Sequence, residues 1–302
     1  TQVEAPLQLT DTLQQYIRFA HNEKHVWNKY KDVLKGILRS YLPGRRNEIQ
    51  MVSNGLLWAR LPHRALTWMN AYCNGEPVTE RPGFQVEVNA FWYNAICFAL
   101  EMEKKYGNDS EFIAQFEPIR EKVLANYTPT FWNERWGYLA DYVYDGYADP
   151  AVRPNQLYAA YVEYSPISEE IIAKVMKSVR DELVTARGLR TLSPRNPAYK
   201  GVYEGSQIDR DLAYQQGSCW TFLLAPYVVV IFKMFGSAMY KKVEHLSEGF
   251  QEDYAKHGVG CFSELYDGDP PHEPHGAISS AMSTAALLRI NYLMKQYKEE
   301  KL

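Results

Sequence analysis

Residues 65–94 read Ala65-Leu66-Thr67-Trp68-Met69-Asn70-Ala71, then Pro77-Val78-Thr79-Glu80-Arg81, then Val86-Glu87-Val88-Asn89-Ala90-Phe91-Trp92-Tyr93-Asn94. Tryptophans, a tyrosine, amides and a carboxylate crowd one strip that leads into a helical pattern over 88–106. Rings of this kind stack on the apolar faces of sugars, and amides and carboxylates beside them hydrogen-bond sugar hydroxyls. The strip reads as a carbohydrate subsite at the mouth of a helix.

Working outward, apolar residues recur at helical spacing, as in Leu34, Ile37, Leu38 and Tyr41, or Val175, Val179 and Leu183, with almost no period-two alternation. The spacing predicts helices near 10–21, 25–41, 88–106, 110–126, 155–163, 168–184, 214–235, 237–256 and 277–299. Start signals include Thr10 with Asp11, Ser110 with Glu111, and Ser168 with Glu169 and Glu170; Gly107 is a stop. Long segments rich in Pro, Gly, Trp and Tyr lie between helix pairs, at 43–87, 128–154, 187–213 and 258–276. Loops of that length in a compact domain are functional more often than not, because the scaffold holds them while they line a site. The alternation is the rhythm of an (α/α) toroid, in which loops at one end of a ring of helix hairpins converge. No linker or low-complexity stretch divides the chain, so 1–302 is read as one all-α domain.

The chain has 302 residues, 46% hydrophobic and 23% charged, which is ordinary for a globular protein that buries a sizeable core. A net charge of -3 with scattered Lys and Arg offers no footprint for nucleic acid or an anionic membrane. Cys73, Cys97, Cys219 and Cys261 show neither CxxC pairing nor His at metal-ligand spacing. They point to a reducing, cytoplasmic setting with no metal or cofactor. The longest apolar run, Phe222 to Phe235, is interrupted by Pro226 and Lys233 and is expected to be a buried helix. Aromatic residues make up 14% of the chain, with 23 Tyr and 7 Trp; neutral polyhydroxylated ligands suit such rings, although a large helical core accounts for many of them.

Two further groups carry chemistry. One runs from Gly188-Leu189-Arg190-Thr191-Leu192-Ser193 through Tyr203-Glu204-Gly205 and Asp209-Arg210-Asp211 to Tyr214-Gln215-Gln216-Gly217 and Trp220. The other is Phe262-Ser263-Glu264-Leu265-Tyr266-Asp267-Gly268-Asp269-Pro270-Pro271 with His272 and His275. Each sets carboxylates beside aromatics. Glycoside cleavage needs an acid that protonates the leaving oxygen and a carboxylate opposite it.

Taken in order, these blocks resemble the amylo-α-1,6-glucosidase domain of glycogen debranching enzymes, in its bacterial and archaeal form. The matching features are Asn54-Gly55-Leu56-Leu57, Thr67-Trp68-Met69, Pro77-Val78-Thr79, Val86 to Asn94, Arg153-Pro154-Asn155-Gln156, Gly188 to Ser193, Tyr214 to Gly217 with Trp220, and Ser263-Glu264 ahead of Asp267 to Pro271, spanning roughly residues 50–290. The resemblance implies an (α/α)6 toroid, the six-hairpin glycosidase barrel, that removes α-1,6-linked glucose from glycogen branch stubs with inversion. Such a barrel carries about twelve helices against nine read here, so its first helices, and a β-rich domain, are expected upstream of Thr1.

In that family the strip runs Thr-Trp-Met-Asp and its Asp is the general acid; a Glu in the block matching Ser263-Glu264-Leu265 is the base. Glu264 therefore inherits the base and Asn70 the acid's place without its proton, since an amide hydrogen-bonds a leaving oxygen but does not protonate it. Trp68, Glu87, Asn89, Trp92, Arg190, Asp209, Gln216 and Trp220 are the implied substrate-binding residues. Three explanations of Asn70 stay open: a variant made to trap substrate, a natural branch that binds α-glucan without cleaving it, or an enzyme using another acid such as Glu80, Glu87 or Asp209. Another glycosidase on the same barrel, of glucoamylase or trehalase type, is the remaining alternative. For single residues a plainer reading also stands: Trp68, Trp92 and Trp220 as core aromatics, Glu87 and Asp209 as structural carboxylates.

Overall fold

The computed structural model describes residues 2–299. The chain divides into two compact units: Thr1–Asn70, Thr79–Pro150 and Tyr158–Val175 form the first, and Ala71–Val78, Ala151–Leu157 and Met176–Leu302 the second. Both are helix-rich.

The first unit is built from α1 (Ala5–Ala20), α2 (Glu23–Ser40), α3 (Val86–Tyr106) and α4 (Ser110–Phe131). Helix α3 is its axis. Residues Val86 to Leu100 of α3 are all buried, because α1, α2 and α4 all pack against it. Such a helix shows no polar stripe, and its apolar surface on every side is what central position requires. Trp27 meets Phe98 edge-on, Tyr41 tilts against Trp92, and Phe112 stacks on Phe116. Beyond Gly107, Asp109 caps α4 by accepting the Phe112 N–H at 2.9 Å. The same carboxylate and Glu103 take the Lys35 ammonium at 2.9 and 2.8 Å, tying α2 to the α3–α4 corner.

Helix α5 (Leu157–Tyr161) follows a 3₁₀ turn at Pro154–Gln156, and α6 (Glu169–Glu182) leads from the first unit into the second. The second unit holds α7 (Gln207–Ala213), α8 (Leu224–Phe235), α9 (Tyr240–Glu248) and α10 (Ala281–Glu299). It also holds a five-stranded antiparallel sheet ordered Val184–Thr185, Gly188–Arg190, Cys219–Trp220, Leu265–Tyr266, Pro274–His275. One row of its register aligns Leu189, Trp220, Leu265 and His275. Strands two or three residues long escape a period-two reading, so the expected all-α class becomes helix-rich with short hairpins set into the long loops.

The predicted helix over 214–235 is corrected to a turn, a strand at Cys219–Trp220 and α8. Gly217 explains the break: its φ is +151°, and a side chain there would run into the Lys200 carbonyl. Helix α7 lies inside a segment read as loop, and the segment 237–256 is split by 3₁₀ turns. Helix α4 runs through Pro129 to Phe131. Among the described residues one stretch, Thr221–Asp253, is long and apolar enough to cross a membrane by length and composition; 56% of its most apolar window is buried. Within it Val228, Val229, Val230 and Ile231 are core residues of α8.

Candidate active site

In the first unit the Thr67–Asn70 strip bends at Thr67 and Trp68, and its burial alternates: Thr67 and Met69 are buried, Trp68 is half-buried and Asn70 is exposed. Met69 anchors the strip in the interior. The strip is held from beneath. The backbone N–H of Trp68 donates to Glu4 Oε1 at 2.7 Å, and Arg81 Nη1 donates to Thr67 Oγ1 at 3.2 Å. A shallow cleft beside it is lined by Arg60, Leu61, Arg64, Thr67, Thr79 and Glu80.

Arg81 is the hub under this face. Its Nε reaches Asp141 Oδ2 at 2.6 Å, Nη2 reaches Glu87 Oε2 at 2.6 Å, and Nη1 also bonds Glu87. All three side chains are at most 2% exposed. Burial works against the Arg81 charge, but the fields of Asp141 and Glu87 outweigh it and raise its pKa. Burial likewise pushes the Glu87 carboxyl up, against the pull of Arg81.

Three implied sugar contacts are thereby corrected to scaffold. Glu87 is wholly buried and spends both oxygens on Arg81. Asn89 is wholly buried; its Oδ1 accepts the Leu57 N–H at 2.7 Å and its Nδ2 donates to the Leu57 and Gln85 carbonyls at 3.0 Å. Trp92 is wholly buried, with Nε1 donating to the Gly55 carbonyl at 3.0 Å. The physical reason is shared: α3 is central, so its polar residues are spent on the backbone or side chains of neighbouring loops rather than on an open pocket.

In the second unit, Glu264 immediately precedes the strand Leu265–Tyr266 and is half-buried. Its Oε1 accepts the Tyr214 hydroxyl at 2.9 Å and its Oε2 accepts the Ala277 N–H at 2.9 Å. The Glu264 N–H returns a bond to the Ala277 carbonyl at 3.0 Å, so the carboxylate is fixed at both ends. Burial and Glu264 together push the Tyr214 hydroxyl well above its ordinary pKa and keep it a donor. Gly276, at φ +73°, leaves the room that the carboxylate occupies: a Cβ there would fall 2.5 Å from Oε2.

Aromatic rings surround this carboxylate. Tyr203 tilts on Tyr214 with centroids 6.0 Å apart and on His275 at 5.5 Å, and Tyr214 meets Trp220 edge-on at 4.9 Å. Asp267, nearly buried, accepts the Tyr203 N–H at 2.7 Å and pairs with His275 Nε2 at 2.9 Å. The sequence blocks that carry chemistry include Tyr203, Tyr214 and His275, but none of the three is among the implied catalytic or substrate-binding residues. His275 is brought there by the strand register, which sets it opposite Leu265 and Leu265 opposite Trp220.

The remaining implied contacts divide. Gln216 is half-buried and accepts Arg153 Nη2 at 2.6 Å. Arg190 is half-buried and donates from Nε to the Gly268 carbonyl at 2.8 Å, fixing the loop behind Asp267. Trp220 is corrected from pocket wall to support: it is 6% exposed, with Nε1 donating to the Tyr214 carbonyl at 3.0 Å. Asp209 is corrected to a helix-capping residue, since with Ser206 it completes the capping box of α7 and lies exposed.

The structure is similar to the GH63 mannosylglycerate hydrolase of Thermus thermophilus solved in complex with glucose, at 11% identity and TM-score 0.50, over 70% of this chain and 45% of that one. It is also similar to the GH78 rhamnosidase of Bacillus sp. GL1, at 14% identity and TM-score 0.53, over 89% of this chain and 24% of that one. At such identities the likeness concerns the fold, and the chain spans less than half the length of either protein. No curated protein matches by sequence. The family profile described as Amylo-alpha-1,6-glucosidase matches residues 1–289, which takes in both the Trp68–Asn70 strip and the Glu264 cluster. The chain belongs to the amylo-alpha-1,6-glucosidase family of glycosidases.

Proposed function

We propose that this protein acts on the glucosyl ends of α-glucans, hydrolysing α-1,6-linked glucose by inversion with Glu264 as general base. The observation that carries the reading is the fixed Glu264 carboxylate, held by Tyr214 and the Ala277 N–H among aromatic rings. A general base in an inverting hydrolase must present an oriented carboxylate to water, and two donors fix that orientation. Trp68 and Gln216, both only half-buried, are each proposed as glucan contacts of their own unit, and Arg190 supports the Gly268 loop. The helix-hairpin rhythm and the likeness to two glycosidase folds support a six-hairpin toroid. The four unpaired thiols support a reducing, cytoplasmic setting.

Asn70 stands at the motif position of the acid and is exposed, which favours one second reading: an α-glucan-binding chain that has lost cleavage. Loss of a general acid costs about 10²–10⁴ in rate. Glucose release from a glucosyl-branched maltooligosaccharide separates the two. The expected result is slow release by the native chain, a gain of about a hundredfold or more in Asn70→Asp, and none in Glu264→Gln. If Asn70→Asp releases no glucose while both forms bind the oligosaccharide, the binding reading replaces the hydrolase.

A further inference from the structure

Glu4 stands at the threshold of α1, where a side chain ordinarily caps the helix, yet it makes no cap bond there. It is wholly buried and turned the other way, onto the Thr67–Asn70 strip. Its Oε1 accepts the Trp68 N–H at 2.7 Å, and one residue earlier the Val3 N–H donates to the Leu66 carbonyl at 2.8 Å. The Val3 carbonyl is itself held by the Tyr41 hydroxyl at 2.6 Å. Residues 3 and 4 thus clamp alternate residues of the segment that presents Trp68 and Asn70.

The other oxygen, Glu4 Oε2, is buried without a hydrogen-bond partner. Nearby, Glu87 and Asp141 already share the Arg81 guanidinium. A third anion in the same interior would be uncompensated, and burying such a charge is costly. We propose that Glu4 is the positioning residue of the Thr67–Asn70 strip, clamping it as an uncharged carboxylic acid and loosening it on ionisation. The groups facing Glu4 are Glu87 of α3, Arg81, Tyr41 after α2 and Tyr158 of α5. Burial and then Glu87 raise the Glu4 pKa to about 7, outweighing the backbone N–H groups of Glu4 and Trp68 and then Arg81, which all favour the ionised form, while Tyr41 is itself pushed up to about 12 by burial.

Once the clamp opens, Glu4 regains an ordinary carboxyl pKa, so the open form gains roughly tenfold in population per pH unit between about 4.5 and 7 and levels off above. Over that interval opening rises by roughly 300-fold. Hydrogen exchange of the Trp68 backbone amide reads it directly, in protein labelled with ¹⁵N-tryptophan and assigned through Trp68→Phe. After correction for intrinsic exchange, Trp68 protection in the native protein is expected to fall between pH 5 and 7 and then level, and to stay flat in Glu4→Gln. Flat protection in the native protein overturns the proposal whether or not the variant folds; a fall that persists in Glu4→Gln assigns the titration elsewhere and also overturns it. The consequence for glucan rests on the function proposed above, and calorimetry with maltotetraose tests that part separately. If Trp68 exchange follows Glu4 but maltotetraose does not bind, the clamp stands and the sugar site does not.

Discussion

Replacing Arg81 by Met tests whether the face beneath Trp68 is a charge cluster with a single cation or merely well-packed interior. The Arg81 guanidinium bonds Asp141 through Nε and Nη2, Glu87 through Nη1 and Nη2, and Thr67 through Nη1. Met fills a similar volume and leaves two carboxylates, each at most 1% exposed, with no cation. Removing one partner from a buried pair costs about 3–5 kcal/mol, a large share of the roughly 5–15 kcal/mol typical of a folded domain. The loss depends on pH, with a determinate sign. Without Arg81 the buried Glu87 carboxyl of the folded state keeps a proton that the unfolded chain releases above about pH 4, so stability falls as pH rises. That group contributes about 1.4 kcal/mol per pH unit until it ionises in place. Urea unfolding followed by far-ultraviolet circular dichroism at pH 5 and pH 8 is the assay. The expected loss relative to the native protein is about 3 kcal/mol or more at pH 8 and at least about 1 kcal/mol smaller at pH 5. Arg81→Lys, which keeps the charge but not the fork, should fall between the two. A loss below about 1 kcal/mol, or one equal at both pH values, refutes the cluster as described.

Four further outcomes follow from the two units. Gly276→Ala pushes a Cβ to 2.5 Å from Glu264 Oε2 and strains a +73° φ, so glucose release from the branched oligosaccharide should drop tenfold or more, with oligosaccharide affinity little changed. Tyr214→Phe removes one of the two donors to Glu264 and should lower kcat by about tenfold at unchanged KM. Asp209→Ala should cost about 1 kcal/mol in unfolding experiments through the α7 capping box, with maltotetraose affinity within about twofold of native; a large loss of affinity would restore Asp209 as a sugar contact. Trp92→Phe should lower stability by about 1–3 kcal/mol, because the buried Gly55 carbonyl loses its donor, and leave maltotetraose affinity unchanged.

Much of the helical scaffold was legible in the chain itself. Helices at 25–41, 88–106 and 168–184 were placed to within about two residues, because their apolar residues keep a helical period and their ends carry capping residues. Where boundaries went astray, a competing local rule explains it. Thr10 and Asp11 look like a helix start, yet α1 begins at Ala5 behind Glu4, whose side chain is spent on Trp68 instead of on the cap. Tyr214 to Trp220 carries helical periodicity, yet Gly217 breaks it and Cys219–Trp220 pairs in a sheet whose other strands lie up to about fifty residues away in sequence.

For the site, family membership and the blocks that carry it were readable from order and residue type, since motif chemistry is local. Which of the aromatic and acidic residues face outward was not. Trp68 and Trp92 are alike as letters, but one lies half-open on a loop and the other is sealed in a helix packed against three others. Glu87 and Glu264 are both carboxylates inside this chain's motifs; one neutralises a buried arginine, the other is tethered by a tyrosine hydroxyl and a backbone amide beside a glycine. Burial and hydrogen-bond partners are assigned by residues distant along the chain, so only the packed structure separates a ligand-facing group from a strut. By itself the sequence determined most of the helices, the family and the amide at position 70, because periodicity and motif are local; the tertiary structure decided which polar groups are spent on one another and which stay half-open, because burial is assigned by distant residues.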